Sequence, residues 1–556
     1  MESKPQPIQA ESPSGRFPNS RRCVDLVHRS LSSCRVRSGS PPEDTEATDI
    51  RARAVRDGAR VAAVPPIRDH VIPSQGHALA TTTTTSTRSL AAVILAAGKG
   101  KRLKSARPKV LHPVCGKPAL WHVVQTALAA RPDRIVIVVA RDADDVRAAV
   151  KSWKITPKPV FVEQAKQLGT GHAVLAAKSA VGRVDDVLVA NGDFDPVLPD
   201  DIRALVRRHR RVDAAVTIAS TELRDPGTYQ RIVRDGGRVI DVVEGMDASA
   251  DVRRINEVGT NWMAFRRGPL FAALPKVRRN NRQHEYYLND AVSILLRSGA
   301  RVEAVLCDTG GTLGLNSRGG LAAVIALMRG RINAKHLDNG VTLVDPGATY
   351  IDVDVRIGRD STIHPNVFLE GSTVIGRECA IGPSVRVEDS SIGDRSSVQF
   401  AVILGSTIGR DVAVGPFVRM RPGVEMADGS KAGAFVDLKA ARVGRGTKVP
   451  HLSYVGDADL GEDVNVGAGT VTINYDGYAK HRTVIEDGAR IGSDTMLVAP
   501  VRVGRDAVTG AGSVITKDVP PGSLAVERTE QRNVPGYRER KDAEHRRQGT
   551  RKTRRR

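Results

Sequence analysis

From Gly340 onward the chain repeats itself every six residues. YIDVDV, RIGRDS, TIHPNV, FLEGST, VIGREC and AIGPSV follow one another, and TIGRDV and AVGPFV continue the texture. Each unit carries a small or aliphatic residue at a fixed place, with Gly, Asp, Asn or Ser at the next corner. Hexapeptide repetition is the mark of a parallel β-helix, in which one unit makes one flat side and three units close a triangular coil. One aliphatic side chain per unit stacks inward, so such a core needs almost no rings. That accounts for 4 % aromatic residues beside 52 glycines in a chain of 556. The pattern looks interrupted at KAARVGRGTKVPHLSYVGD (439–457) and NYDGYAKHRT (474–483). Insertions in a solenoid fall on loops and often build its binding face.

Upstream of the repeats the period changes. SLAAVILAAGKG, RIVIVVA (134–140), PVFVEQ (159–164) and DVLVANGD (186–193) are apolar runs of strand length. ALWHVVQTALAA (119–130) and GTGHAVLAAKSAV (169–181) between them have helical spacing. Alternating strands and helices imply βαβ units and a mostly parallel sheet. Apolar positions three or four apart over 319–338 predict a helix joining the two regions. The expected organisation is an extension at 1–88, an α/β domain at 89–318, a linking helix within 319–340, a β-helix at 341–528 and a polar tail at 529–556. The extension is rich in Ser, Pro, Arg and Thr, and both ends are expected to be disordered.

A net charge of +22 invites nucleic acid as a partner. Its distribution argues otherwise. Residues 1–88 carry +4 and residues 536–556 carry +7, so half of the excess lies in the two ends. Neither end interleaves aromatics with its basic residues, and no nucleic-acid-reading motif is present. No run approaches 18 uninterrupted apolar residues, and the first thirty residues contain no apolar signal core. Cys23, Cys34, Cys115, Cys307 and Cys379 are odd in number and have no CxxC spacing. A reducing, cytoplasmic setting without disulfides or zinc is therefore expected.

LAAGKGKRL (95–103) places a glycine loop directly after the first strand. Gly98 and Gly100 allow backbone N–H groups to approach phosphate, and Lys99, Arg102 and Lys109 add cations. The loop fits neither the dinucleotide fingerprint nor the Walker form. Asp193, in NGD at the end of another strand, can hold Mg²⁺ against phosphate oxygens or cap a helix. Glu244 and Asn316 are candidate further contacts.

LAAGKG, PKVLH, GKPAL, EQAKQLGTGHA, EYYLND and GLNSR occur in this order. FVRMRPG, AFVDLKAAR, VPHLSYVGDADLGEDVNVGAGT, NYDG, IGSDT and GAGSV follow. Together they resemble sugar-nucleotide pyrophosphorylases, and more closely the bifunctional bacterial enzymes of UDP-N-acetylglucosamine synthesis, over residues 89–530. The resemblance implies a Rossmann-like α/β nucleotidyltransferase domain followed by a left-handed parallel β-helix of hexapeptide repeats. It implies acetyl transfer from acetyl-CoA to glucosamine-1-phosphate, then uridylyl transfer from UTP, with Mg²⁺, in a homotrimer with junctional active sites.

By position, the resemblance assigns Leu95, Ala96, Ala97 and Gly98 to the nucleotide and Lys109 to phosphate. Gln164, Gly169 and Thr170 take the uracil, Asn191 and Gly192 join the nucleotide set beside the metal-binding Asp193, with Asn191 where the family commonly has Tyr, Asn316 is the partner of Asp193, and Glu244 meets the amino sugar. The family's GYGRI reads TYQRI here, placing Gln230 where a glycine lines the sugar pocket. Its INTG reads VGTN, placing Gly259 where an asparagine contacts the sugar. The stretch after Asp193, FDPVLP, is one residue longer than usual. These departures raise the expectation of a weakened or sugar-altered uridyltransferase, or of an acetyltransferase alone.

In the second half an amine must attack a thioester, which calls for a base of near-neutral pKa. His451 suits that task, with Asp437 in support, one methylene shorter than the family's usual Glu. The resemblance gives Arg421, Lys439 and Lys480 to the sugar phosphate and Tyr454, Asn465, Asn474 and Tyr475 to the sugar. It gives Ala468, Ser493, Ala511 and Arg528 to acetyl-CoA, which Asn474 and Tyr475 also adjoin. Asn474 or a backbone N–H is the candidate oxyanion donor.

Overall fold

The computed structural model describes residues 88–98, 100–194, 196–310 and 314–553, without the side chains of Lys101 and 549–553. The expectations for 1–87 and for Lys99 lie outside these residues.

The α/β half is built on one sheet. Its main strands are β1 (Leu90–Leu95), β2 (Arg134–Val139), β3 (Val160–Glu163), β4 (Asp186–Asn191), β5 (Val216–Glu222), β6 (Glu257–Arg266) and β7 (Val302–Leu306). Their spatial order is β7-β5-β6-β4-β1-β2-β3. Only β6 along this path runs antiparallel, against both β4 and β5. β1 and β4 are buried at nearly every position, as continuous aliphatic runs require when helices cover both faces of a sheet. Helix α1 (Ala119–Leu128) packs one side through Leu120, Val123 and Val124. The carboxyl ends of β1 and β4 lie side by side, Leu95 opposite Asn191, which is where such sheets bind ligands.

Helix α2 (Arg318–Asp338) opens with the Ser317 hydroxyl accepting from Gly320 N at 3.0 Å. Near its end the buried Asn333 amide donates to Pro346 O and Thr349 O at 2.8 and 3.1 Å, fastening the helix to the first coil. A second tie comes from the hairpin after the glycine loop. Val353 N donates to Cys115 O at 3.1 Å, and Lys117 pairs with Asp354.

Beyond α2 the chain is a left-handed parallel β-helix. Its three faces are parallel sheets of 11, 10 and 9 strands among the described residues. Ile363, Ile381, Val398, Val414, Ala432, Val449, Val466 and Ile491 form one inward column, and every member is buried. Each Val or Ile of the column contributes roughly 1.5–3 kcal/mol by leaving water. Only one of the two interruptions expected from the sequence is an insertion. Residue pairs one coil apart are Arg442 and Asp459 but then Asp459 and Val484, so the added length enters at 474–483. The stretch 439–457 keeps the coil, with Asp437 opposite Tyr454. Polar residues at the outward positions hid its register.

The tail differs from the expectation of disorder. Tyr537–Thr553 is a helix, α3. The stretch has no proline, its Lys, Arg, Glu, Gln and Ala are good helix formers, and Arg538–Asp542 adds an i,i+4 pair at 3.1 Å.

Candidate functional sites

The glycine loop and the ends of β1 and β4 enclose a cavity of about 290 Å³. Leu95, Ala97, Gly98, Lys109, Gln164, Gly169, Thr170, Asn191, Asp193 and Asn316 all line it, so the structure brings together most of the first predicted set. Ala96 and Gly192 stand behind that lining as backbone. Ala96 N donates to Val138 O at 2.7 Å, and Gly192 N donates to Leu95 O at 2.8 Å.

Local geometry explains two glycines. Gly169 has φ +114°, and a Cβ there would lie 2.6 Å from Tyr286 O. Gly100 has φ +56°, and its Cβ would lie 2.6 Å from Lys109 Cβ. The loop therefore closes directly over the Lys109 stem. The buried Gln164 amide donates to Gly169 O at 3.1 Å and meets His172 Nδ1 at the same distance. The Thr170 hydroxyl accepts from Leu288 N at 3.0 Å.

The charged centre is compact. Lys109 Nζ donates to Asn316 Oδ1 at 2.7 Å and forms an ion pair with Asp193 Oδ2. The other oxygen, Asp193 Oδ1, is buried and makes no hydrogen bond. Arg102 Nη2 reaches Asn316 Oδ1 at 3.5 Å. Sequence reasoning passed over Gln167 and Glu285, which also line the cavity. Gln167 Nε2 donates to Ala97 O at 2.7 Å and so holds the glycine loop. Its position inside EQAKQLGTGHA was the available signal. Burial pushes the Glu285 carboxyl up, against the opposing charge of Arg279.

Glu244 does not join this cavity. It lines a separate hollow of about 410 Å³ with Asp241, Asp247, Lys276 and Asp290. Asn289 Nδ2 donates to Glu244 Oε1 at 2.5 Å, while burial outweighs that bond and raises the carboxyl above its usual range. Gln230 and Gly259 line neither hollow but touch each other. A Cβ on Gly259 would lie 2.4 Å from Gln230 Nε2, so the long side chain fills the space that a side chain at 259 would need. The two departures form one exchange rather than two losses.

On the β-helix, His451 ends the strand Lys448–His451 and pairs with Ala434 on the coil before. It is exposed, and among the described residues its imidazole makes no hydrogen bond. Asp437 faces a different partner from the one expected. Arg421 donates to it through Nε and Nη2 at 3.2 and 2.7 Å. Lys439 Nζ donates to Asp457 Oδ2 at 2.8 Å, and Asn474 Nδ2 donates to the same oxygen at 2.5 Å. Burial works to raise the Asp457 carboxyl, but these bonds and the charges of Lys439 and Lys480 hold it below the usual range. Asp457 is thus the hub that the sequence reading missed, although it closes the quoted VGD run. Asn474 also lies 3.4 Å from Tyr454 Oη. Tyr475 and Lys480 form an isolated bridge across the base of the inserted loop.

Ala468, Ser493 and Ala511 fall on successive coils at one corner. Asp494 N donates to Ala468 O at 2.7 Å and Gly512 N to Ser493 O at 2.8 Å. Arg528 Nη1 donates to Ala511 O at 3.0 Å, which places its guanidinium at the foot of this column. Asn465 lies exposed two coils from Lys431, in the ladder that also carries Lys448.

Residues 92–284 match the MobA-like NTP transferase domain, and 482–517 match the bacterial transferase hexapeptide (six repeats). Fold and sites thus define a two-part transferase, with a nucleotidyltransferase half and a hexapeptide acetyltransferase half. The Bifunctional protein GlmU of Alkalilimnicola ehrlichii is 44 % identical over 454 residues, covering 81 % of this chain and 96 % of that protein. Those of Syntrophotalea carbinolica and Brevibacillus brevis are 45 % and 42 % identical, covering 82 % and 80 % of this chain and 97 % and 96 % of their own length. The chain belongs to the GlmU family of bifunctional enzymes. Membership over both halves supports both activities and not the acetyltransferase alone that Gln230 and Gly259 suggest.

Proposed function

We propose the following division of labour. The β-helix at 341–528 acetylates glucosamine-1-phosphate from acetyl-CoA, and the α/β domain at 89–318 then joins the product to the uridylyl group of UTP, releasing pyrophosphate. The observation that carries this reading is the convergence of Lys109, Asp193 and Asn316 in the cavity under the glycine loop.

In the first step His451 takes a proton from the sugar amine as the nitrogen attacks the thioester carbonyl, and that proton can then reach the departing thiolate. Exposure at a strand end leaves the imidazole open to substrate. Arg421, Lys439 and Lys480 receive the sugar phosphate; the first two must exchange Asp437 and Asp457 for it. Asp457 restrains Asn474, so this amide orients the sugar site as long as that bond holds, and a backbone N–H serves the oxyanion. The column of Ala468, Ser493 and Ala511 leaves room for a thin pantetheine arm ending near Arg528.

In the second step the glycine loop, Gln164 and Thr170 hold the nucleotide, and Lys109 and Arg102 meet its phosphates. The phosphate oxygen of the acetylated sugar attacks the α-phosphorus in line, and positioning with charge neutralisation does the catalysis. Asp193 Oδ2 and Asn316 Oδ1 are hard oxygen donors that converge on one point, and Asp193 Oδ1 is buried beside them without a partner, a set that would suit Mg²⁺ completed by phosphate and water. Bound there, the ion would neutralise charge on the phosphates.

A trimer is supported by one corner of the β-helix. Phe400, Phe417 and Phe435 form a row with centroids 5.4 and 5.0 Å apart, the first pair tilted and the second stacked, and Leu452 follows in the chain beside His451. Phe417, Phe435 and Leu452 are more than half exposed in one chain. Such a seam beside the base fits a site completed by a second copy. No described helix is long and apolar enough to cross a membrane. Incubation with glucosamine-1-phosphate, acetyl-CoA, UTP and Mg²⁺ tests the whole reading. UDP-N-acetylglucosamine is the expected product; accumulation of N-acetylglucosamine-1-phosphate alone would refute the second step.

A further inference from the structure

Asp193 Oδ2 and Asn316 Oδ1 point at one atom, and that atom is Lys109 Nζ. The ammonium is well enclosed, with 12 % of its side chain exposed against 20 % for Asp193. Its stem is fixed by the close approach of Gly100, where even a Cβ would collide, and by the short helix Lys109–Leu111. The point where two hard oxygens converge is the point a divalent cation would take. An ammonium and a divalent ion cannot share it, because like charges at contact repel strongly in a site partly shielded from water. We infer that Lys109 is an internal placeholder that keeps the metal position closed until nucleotide arrives. This inference rests on the reading of Asp193 and Asn316 as a metal pair.

The cavity supplies the release. Gly98, Gly100 and Arg102 line the same space as Nζ, so a triphosphate bound there offers Lys109 stronger anionic partners than one carboxylate. Once Nζ turns to phosphate, Asp193 and Asn316 are free together. Metal therefore enters with the nucleotide or after it, and the free enzyme does not preload the ion. Lys109 acts here as a positioning residue, in addition to its phosphate contact.

Mn²⁺ serves as the probe, with its free fraction read by electron paramagnetic resonance on the full chain without nucleotide. Wild type is expected to bind the ion weakly. Lys109→Met removes the ammonium and keeps the stem, and should tighten Mn²⁺ binding about tenfold or more. Lys109→Gln, which keeps a polar end, should fall between the two. Adding Asp193→Asn to Lys109→Met should abolish the gain. Equal binding by wild type and both Lys109 variants would overturn the inference, as would a gain that survives Asp193→Asn. The metal reading fails separately if Asp193→Asn alone leaves Mn²⁺ binding to the enzyme–UTP complex unchanged.

Discussion

Substituting Gly259 alone should be far more damaging than substituting it together with Gln230. Gly259 lies where β6 shifts register against β5, and its N–H donates to Gln230 O at 3.2 Å. A Cβ built on it lies 2.4, 2.8 and 3.1 Å from Nε2, Cδ and Cγ of Gln230. Gln230 is only 5 % exposed, so its amide has no route to solvent. In Gly259→Asn the amide must move, breaking the 3.1 Å bond from Nε2 to Thr260 O. Overpacking of this kind costs about 1–3 kcal/mol. A buried donor left unpaired costs about 1–3 kcal/mol more. Gln230→Gly alone opens a void and should cost about 2–4 kcal/mol. The double variant Gln230→Gly with Gly259→Asn restores a single side chain to the shared space. Its cost should therefore fall short of the summed single costs by about 2 kcal/mol or more, within the range seen for residues in direct contact. Urea unfolding of the four proteins measures this coupling, and uridylyl transfer reports whether the site follows. Additivity to within about 0.5 kcal/mol would refute the claim that the two positions share one space.

The remaining predictions separate the two halves and test the frame. His451→Ala should lower acetyl transfer by about 10²–10⁴-fold while leaving uridylyl transfer from supplied N-acetylglucosamine-1-phosphate unchanged, as chromatography of the two products would reveal. Phe417→Asp places a charge in the exposed aromatic seam. Sedimentation should then find smaller species with little acetyltransferase activity, and intact trimers would sink the interface assignment. Asp186 is fully buried and pairs with Arg88 and Arg210. Burial alone would raise its carboxyl, but His209, Arg210 and Arg88 together hold it below the usual range. Its stabilising contribution is thus present above about pH 4, the unfolded value, and is lost as pH falls through the lower folded value. Asp186→Asn should cost about 3–5 kcal/mol at neutral pH and flatten the acid limb of the stability profile; an unchanged profile would contradict the sign.

What the sequence revealed and what it hid divide along the range of the interactions. The hexapeptide register is local, since each aliphatic residue announces the next, and the inward column from Ile363 to Ile491 follows it directly. The glycine loop is local as well. The exchange between Gln230 and Gly259 was invisible because the partners lie apart in the chain and meet only when the segment carrying Gln230 folds against β6, so each change looked like a separate loss. The link from Lys109 to Asn316 joins residues 207 apart. Individual roles were nameable there, but nothing in the chain order says that one ammonium occupies the meeting point of two oxygens. His451 was misplaced for a third reason. Polar outward residues masked a regular coil over 439–457, so a strand end looked like an inserted loop.

Charge unites the two sites more closely than their folds do. Three cations assigned to phosphate each rest on a carboxylate of the chain itself: Lys109 on Asp193, Arg421 on Asp437 and Lys439 on Asp457. Each pair is partly shielded, so neither partner is fully hydrated while it waits. A bare basic cluster would attract any polyanion, and a chain of net charge +22 would then bind nucleic acid without discrimination. An internal carboxylate changes the requirement. An incoming anion must outcompete a group already in place, which favours a ligand with more than one negative charge and several acceptor oxygens in a fixed geometry. A terminal sugar phosphate or a triphosphate meets that condition, whereas each diester of a nucleic-acid backbone carries a single charge. On the proposed roles, the carboxylates would set a threshold that favours small phosphate substrates over a polymer backbone, even though the composition of the chain alone suggests the opposite partner.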